Sequence, residues 1–302
     1  MPFPGLTVIG ERINPGFASS KKLLDARDLA GIAELARSQV AKGAPLLNVN
    51  AGTAGETEPA FVGELVRAVQ STVSVPLSID SPNCASQEAG QAAYDPDKAG
   101  GRPPVINSVA ETRWELLGLR KRHRAQVLLM ASERMEHGAA TPNKNADEVT
   151  DTARRLVSRA RAEHADLQLS DFILDVSVGP MATDTEQLLR SAVESIRRIG
   201  SDPALKGVRM SVGLSNIGIM LPKRTVGGMA IGLAFEAAFL TRCVPLGLDM
   251  SLATAGRDYR VLPEGHPALV AFDEVIACDD GFDALSGLKT FYKLATPVEK
   301  AA

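Results

Sequence analysis

The chain has 302 residues, of which 45% are hydrophobic and 23% charged, as in a globular protein that buries a full core. A net charge of −3, one Trp and three Tyr argue against nucleic acid as a partner, because they supply neither a basic surface nor stacking platforms. The three cysteines form no CxxC pair, and residues 1–5 lack the features of a signal peptide. Both observations predict a cytoplasmic protein. The longest apolar run, Gly227–Leu240, contains Glu236 and is too short to span a bilayer, so no membrane association is expected.

Apolar segments that end in polar residues recur along the first half of the chain, and segments with helical periodicity separate them. Most of these apolar segments close on a small polar residue. The predicted strands are Leu6–Ile9, Leu46–Val49, Pro76–Ile79, Pro104–Ile106 and Val127–Met130, and the predicted helices are Asp28–Lys42, Ala60–Gln70, Asn83–Ala93 and Glu111–Arg122.

The second half continues the alternation after a predicted loop at Met135–Lys144. A charged helix is predicted to begin at Asn145 or Asp147 and to end near His164. The remaining predicted strands are Phe172–Leu174, Val208–Leu214 and Leu248–Leu252, and the remaining helices are Thr185–Ile199, Gly227–Leu240, Ala268–Ala277 and Ala284–Leu294.

This alternation predicts a parallel sheet, and roughly eight strand–helix units fit a (β/α)8 TIM barrel, which typically has ~250 residues. We expect one such domain over residues 1–302, since no linker or repeat divides the chain. An open doubly wound sheet is the competing architecture, but the chain has neither GxGxxG after its first strand nor GxxxxGK[ST]. In a barrel, the polar ends of the strands would meet at one mouth.

Carboxylate and amide side chains dominate the predicted strand ends and the loops just beyond them. Such groups suit a neutral heterocycle with several donors and acceptors, because each buried polar group left unpaired costs about 1–3 kcal/mol. The four histidines have no metal-ligand spacing, so no metal site is expected. The candidate site residues are Glu11, Asn14, Asn50, Asp80, Asn107, Asp175, Asn216 and Arg224.

Six short motifs lie at these positions in a fixed order, and together they resemble the pterin-binding methyltransferases. This family includes the methyltetrahydrofolate:corrinoid protein methyltransferases and the folate-binding module of cobalamin-dependent methionine synthase. The likeness extends from about Leu6 to Asp279. The motifs are GERIN at 10–14, NVNAG at 48–52, IDS at 79–81, INS at 106–108, LD at 174–175 and GLSN at 213–216, followed by Arg224.

The resemblance implies a homodimeric barrel in which Asp80, Asn107 and Asp175 hold the pterin of tetrahydrofolate or methyltetrahydrofolate. It places Asn216 beside N5, where the methyl group sits. An Asn has no acidic proton to give, so we assign Asn216 to orienting N5 and stabilising its protonation, with solvent as the proton source. The chain lacks a corrinoid-binding DxHxxG motif, so the cobalamin that exchanges the methyl group should arrive on a separate corrinoid protein.

Several alternatives are open at this stage. Asn48 stands where the family often has Asp, which would alter pterin contacts there. Single residues at strand ends, such as Asn14 and Asn50, are often only helix caps. Glu11 and Arg12 would then form an ion pair away from the ligand. Arg224 would order a loop or lie near the pterin tail. Competing functions are a dihydropteroate synthase, whose N-terminal loop and Ser-Arg-Lys context are missing here, and a protein that binds reduced folate without turnover. Methanopterin is an alternative substrate, and the direction of transfer is open.

Overall fold

The computed structural model describes residues 3–297, and its main feature is a sheet of eight parallel strands. Each strand pairs with the next along the barrel, and the last pairs with the first through Thr7 and Met250. The seventh and eighth strands meet where Leu252 N donates to Val212 O at 2.9 Å. The predicted (β/α)8 barrel is therefore confirmed. Its first to eighth strands are Thr7–Ile13, Leu46–Val49, Leu77–Asp80, Val105–Val109, Gln126–Met130, Phe172–Asp175, Arg209–Ser211 and Met250–Ala253.

Helices surround the barrel, and polar residues fix where several of them begin. The Asp28, Asn83 and Asn145 side chains each accept a hydrogen bond from a backbone N–H of the first helical turn. Across residues 3–297, no helix combines the length and apolar composition needed to cross a membrane. The helices are Ala18–Asp25, Leu29–Ala41, Thr53–Thr57, Pro59–Gln70, Cys84–Ala93, Ala146–Glu163, Leu188–Ser201, Ile231–Cys243, Pro267–Ala277 and Gly281–Leu294.

The inside of the barrel changes from apolar to polar along three of its strands. Ile9, Leu46, Val105, Leu128, Ile173 and Met250 form an apolar plug inside it. Because side chains alternate between the two faces of a strand, the residue two positions later points inward as well. Asn48, Asn107 and Asp175 occupy such positions at the carboxyl ends of three strands, all less than 8% exposed. The alternation of side chains along these three strands thus places their polar groups next to the apolar plug, on its carboxyl-terminal side.

The structure differs from the predictions mainly in the loops. The predicted loop Met135–Lys144 contains most of a hairpin, with strands Glu133–Glu136 and Ala139–Pro142. The segment predicted as helix Glu111–Arg122 is a 3-10 helix, Glu111–Lys121, that breaks at Arg113. Helix Ala18–Asp25 was not predicted.

Two boundaries near the carboxyl-terminal half also differ. The seventh strand stops at Ser211, and Leu214–Asn216 forms a 3-10 turn instead of its end. The apolar helix starts at Ile231, because Arg224–Val226 and Met229–Ala230 pair as short strands before it.

Candidate functional site

A cavity of about 380 Å³ opens at the carboxyl ends of the barrel strands. It brings together four of the predicted site residues, which come from the third, fourth and sixth strands and from the loop after the seventh: Asp80, Asn107, Asp175 and Asn216. Their convergence follows from the parallel sheet, which places every carboxyl end at the same rim. Side chains that sequence reasoning did not assign to the site complete its wall: Pro82, Ser108, Arg113, Met130, Ser177 and Leu252.

Amide side chains hold the Asp80 carboxylate in place at the cavity floor. Asn48 Nδ2 and Asn50 Nδ2 donate to Asp80 Oδ2 at 2.7 and 2.9 Å. Asn48 Oδ1 in turn accepts a hydrogen bond from Asn107 Nδ2 at 3.2 Å. Asp80 Oδ1 accepts no hydrogen bond from the residues that the structure describes. One oxygen is therefore fixed by protein amides, and the other is available to a ligand.

Asp80 and Asp175, the two carboxyl groups that line the cavity, both have raised pKa values. Burial raises the pKa of Asp175 to about 7, opposed by the backbone N–H of Ser177 and reinforced by the nearby charge of Asp80. Burial also raises the pKa of Asp80, although the amides of Asn48 and Asn50 and the charge of Arg113 oppose that shift. Near neutral pH, Asp175 can consequently either donate or accept a hydrogen bond.

Asn216 lies at the rim of the cavity, in the 3-10 turn Leu214–Asn216, and its side chain is exposed. Its Nδ2 donates to Val178 O in the loop after the sixth strand, at 3.3 Å. A Cβ atom at Gly213 would lie 3.0 Å from Asn216 Nδ2, so the small residue leaves room for the carboxamide. The carboxamide is thus directed across the top of the cavity.

Glu11 does not line the cavity but anchors the loop that carries Asn216. Its Oε1 accepts hydrogen bonds from Ser215 Oγ at 2.5 Å and from Thr254 Oγ1. The predicted alternative, an ion pair with Arg12, is absent from the described part of the chain, because Arg12 bonds Ser19 Oγ instead. Glu11 therefore acts on the rim through Ser215.

A second buried carboxylate lies under the same loop. Glu236 is only 2% exposed, and Arg257 Nη1 donates to both of its oxygens at 2.9 and 3.0 Å. Burial raises the pKa of Glu236 to about 7, although the Arg257 charge opposes the shift. Glu236 Oε1 would lie 3.1 Å from a Cβ at Gly218, so the loop after Asn216 packs closely on this ion pair.

Three other predicted site residues have structural partners. Asn50 supports Asp80, and its Oδ1 accepts from Gly52 N at 2.7 Å. Asn14 Oδ1 accepts from Gly16 N at 2.8 Å in a local turn. Arg224 Nη1 donates to Ala295 O at 2.9 Å and orders the carboxyl-terminal segment. Asn14 and Arg224 are absent from the cavity wall, so the structure gives them no direct ligand contact.

Arg113 and Asn48 are the most informative residues that the predicted set omitted. Arg113 Nη1 pairs with Glu133 Oε1 at 2.7 Å, and its Nε donates to Ser108 O at 2.8 Å. Asn48 had a signal in the sequence, since it precedes Asn50 by one strand period. Arg113 had none, because it lies at a break inside a segment with helical periodicity. Within residues 3–297, no group of three His, Cys, Asp or Glu side chains could hold a metal ion.

Two curated proteins are similar to most of this chain. One is a methylcorrinoid:tetrahydrofolate methyltransferase of Eubacterium limosum, 25% identical over 265 residues that cover 82% of this chain and 84% of that protein. The other is a methionine synthase of Mycobacterium tuberculosis, 26% identical over 260 residues. That alignment covers 83% of this chain but 20% of the methionine synthase, so the chain spans about a fifth of the larger enzyme.

Solved structures of dihydropteroate synthases have a similar fold. The enzyme of Xanthomonas albilineans, with 4-aminobenzoic acid, has a TM-score of 0.55 and 19% identity over 94% of this chain and 92% of that one. The enzyme of Thermus thermophilus, in complex with 6HMPPP, has a TM-score of 0.55 and 20% identity over 84% of this chain and 91% of that one. At such identities the likeness shows the shared barrel fold alone.

The family profile described as pterin binding enzyme matches residues 11–252. This range begins at Glu11 in the first barrel strand and ends at Leu252 in the eighth, so it contains the cavity and all its lining residues. The chain therefore belongs to the pterin binding enzyme family.

Proposed function

We propose that the protein is a methyltransferase that moves a methyl group between N5 of tetrahydrofolate and the cobalt of a separate corrinoid protein. The observation that carries this proposal is the cavity, in which Asp80, Asn107 and Asp175 surround one space and Asn216 lies at its rim. The similarity to the methylcorrinoid:tetrahydrofolate methyltransferase over 82% of the chain supports the same reaction class.

The polar groups of the cavity match the edge of a reduced pterin. That edge presents N–H donors on its amino group and ring nitrogens, together with carbonyl and ring-nitrogen acceptors. Asp80 Oδ1 and the Asp175 carboxyl accept such N–H groups, and protonated Asp175 can also donate. Asn107 offers its Oδ1 as an acceptor, because its Nδ2 already donates to Asn48 Oδ1 and Ser78 Oγ, both at 3.2 Å. A bound ring that left one of these buried groups unpaired would lose about 1–3 kcal/mol, so the set selects a ring with this pattern.

Asn216 acts at the nitrogen that releases the methyl group. When the N5–methyl bond breaks, its electron pair remains on N5, which takes up a proton from solvent. The acceptor is Co(I) of the corrinoid, which supplies the electron pair of the new carbon–cobalt bond. A carboxamide that bonds N5 more strongly as charge develops lowers the barrier, and removal of one such group costs about 10²–10³ in rate.

The position of Asn216 also explains how a partner reaches the reacting atoms. Its side chain is exposed at the rim, so a corrinoid on another protein can approach N5 from above the barrel. The family resemblance supports a homodimer, and the three cysteines, which form no CxxC pair, support a cytoplasmic location. Because Asn48 and Ser78, which hold Asp80 and Asn107 in place, are fully buried, the pterin would enter a preformed site.

Methyl transfer to free cob(I)alamin tests the proposal. Methyltetrahydrofolate and the protein should convert the absorption spectrum of cob(I)alamin to that of methylcobalamin, and Asn216→Ala should slow the conversion. Binding of methyltetrahydrofolate without any methylcobalamin would indicate a folate-binding protein. Formation of dihydropteroate from p-aminobenzoate and the pterin pyrophosphate would indicate a synthase. Either result would overturn the proposal.

A further inference from the structure

A second cavity, of about 530 Å³, lies beside the first. Its walls are the hairpin after the fifth strand, the loop after the sixth strand and the first turns of helix Leu188–Ser201. Most of the wall is apolar, with Val149, Val176 and Val178 inside and Leu188 near the entrance. The reaction as described above uses none of these side chains.

The two cavities are neighbours. Ser177 lines both of them. Arg113 lines the first cavity and Glu133 the second, and their ion pair of 2.7 Å stands between the two. Asn216, at the rim of the first cavity, donates to the backbone oxygen of Val178, which lines the second. A ligand beside Asn216 would therefore meet the second cavity immediately.

One exposed cation lies at the second cavity. Lys144 Nζ is 3.1 Å from Glu186 Oε2, and these side chains are 65% and 56% exposed. Ion pairs this exposed contribute little free energy because water screens the two charges, so an incoming carboxylate can replace Glu186 as the partner of Lys144. The other acid of the wall, Glu133, is already neutralised by Arg113. An aromatic group with a carboxylate at its far end fits this arrangement.

We infer that the second cavity receives the p-aminobenzoyl-glutamate tail of the folate, with the ring against the apolar wall and a glutamate carboxylate at Lys144. The inference rests on the proposed function, which puts the pterin in the first cavity. The tail leaves the pterin at C6, next to N5, and N5 is the atom assigned to Asn216. A complete folate is a drug-sized ligand, for which sites of about 300–1,000 Å³ are usual.

A third cavity, of about 350 Å³, is lined in part by Ser215 and Gly218 of the Asn216 loop and is less suitable for the tail. Phe17, Ile219 and Leu233 contribute its apolar surface. Its charged residues, Glu236 and Arg257, are bonded to each other, and Glu236 is buried. No cation is therefore left there for a carboxylate among the described lining residues.

Calorimetric titration with two ligands tests the inference. Tetrahydrofolate has the tail, and 6-methyltetrahydropterin lacks it, so the intact protein should bind tetrahydrofolate about tenfold more tightly or better. Leu188→Glu removes apolar contact and adds a negative charge, and it should weaken tetrahydrofolate binding about tenfold. Lys144→Ala should weaken it about two- to fivefold. Neither substitution should alter the affinity for 6-methyltetrahydropterin.

Matched controls lie away from the cavity. Val261→Glu changes another exposed apolar residue, and Lys98→Ala changes another exposed lysine. Neither should affect either ligand. Equal affinity for the two ligands, or equal weakening of both by Leu188→Glu, would overturn the inference while leaving the proposed function intact. Failure of both ligands to bind would instead remove the proposed function, and the inference with it.

Discussion

Replacement of Asp175 by Asn should stabilise the protein and impair its site. The pKa of Asp175 is raised from 3.8 to about 7, because the carboxyl is buried away from water. The native state thus keeps a proton that the unfolded state releases above pH 3.8. Stability falls as the pH rises through the window from 3.8 to about 7 and is constant above it.

The size of the effect follows from this window. One pKa unit corresponds to about 1.36 kcal/mol, so the buried carboxyl lowers the free energy of unfolding by about 4 kcal/mol at pH 8 and by about 1.5 kcal/mol at pH 5. Asn has the same shape and carries no charge at either pH, and its side-chain oxygen can still accept the Ser177 N–H bond of 2.7 Å. The stability gained in Asp175→Asn should therefore be about 2–3 kcal/mol larger at pH 8 than at pH 5.

Urea denaturation at the two pH values measures this difference. Asp97→Asn, at an exposed position before the fourth strand, is the matched control and should show no such dependence on pH. In calorimetry, Asp175→Asn should bind tetrahydrofolate about 10- to 100-fold more weakly, because the Nδ2 of Asn cannot accept a pterin N–H and a buried donor left unpaired costs about 1–3 kcal/mol. An equal gain in stability at pH 5 and pH 8 would refute the argument that burial holds Asp175 protonated.

Four further substitutions test individual residues. Asn216→Ala should keep tetrahydrofolate affinity within about threefold and slow methyl transfer about 100-fold or more; unchanged turnover would remove it from the mechanism. Glu11→Ala should slow transfer about tenfold at unchanged KM, because it removes the acceptor that positions Ser215 and with it the Asn216 loop; Ser215→Ala should do the same, and additive effects in the double variant would argue against this link. Arg224→Ala should lower the free energy of unfolding by about 1 kcal/mol, through its lost bond to Ala295, without altering pterin affinity, and weaker pterin binding in calorimetry would contradict this assignment.

The contacts of Asn48 give a structural reason for Asn at a position where the family resemblance suggests Asp. The Asn48 amide donates to Asp80 at 2.7 Å and accepts from Asn107 at 3.2 Å. An ionised carboxylate at position 48 would have no hydrogen to donate and would repel Asp80. The Asn therefore organises two pterin-binding candidates from beneath, instead of contacting the ligand in their place.

The local pattern of apolar and polar residues was sufficient to predict where the barrel strands lie. The predicted strand Leu46–Val49 has the observed bounds, and the others differ by a few residues at their ends. The hairpin Glu133–Pro142 was missed because its exposed strands have no apolar alternation, and it is held by pairing and by contacts of Arg134 and Glu133. Such pairing depends on neighbours in space, which a local pattern does not report.

The sequence by itself determined the alternation of strands and helices, and with it the rim at which Asp80, Asn107, Asp175 and Asn216 meet, because parallel strands place their carboxyl ends together. Only the tertiary structure decided which polar residues face the cavity and which support it. Glu11 and Asn50 lie at strand ends like Asp80, yet they hold other side chains. The physical reason is that a hydrogen-bond partner and the degree of burial are set by residues far apart in the chain, and these set the acidity of Asp175 as well.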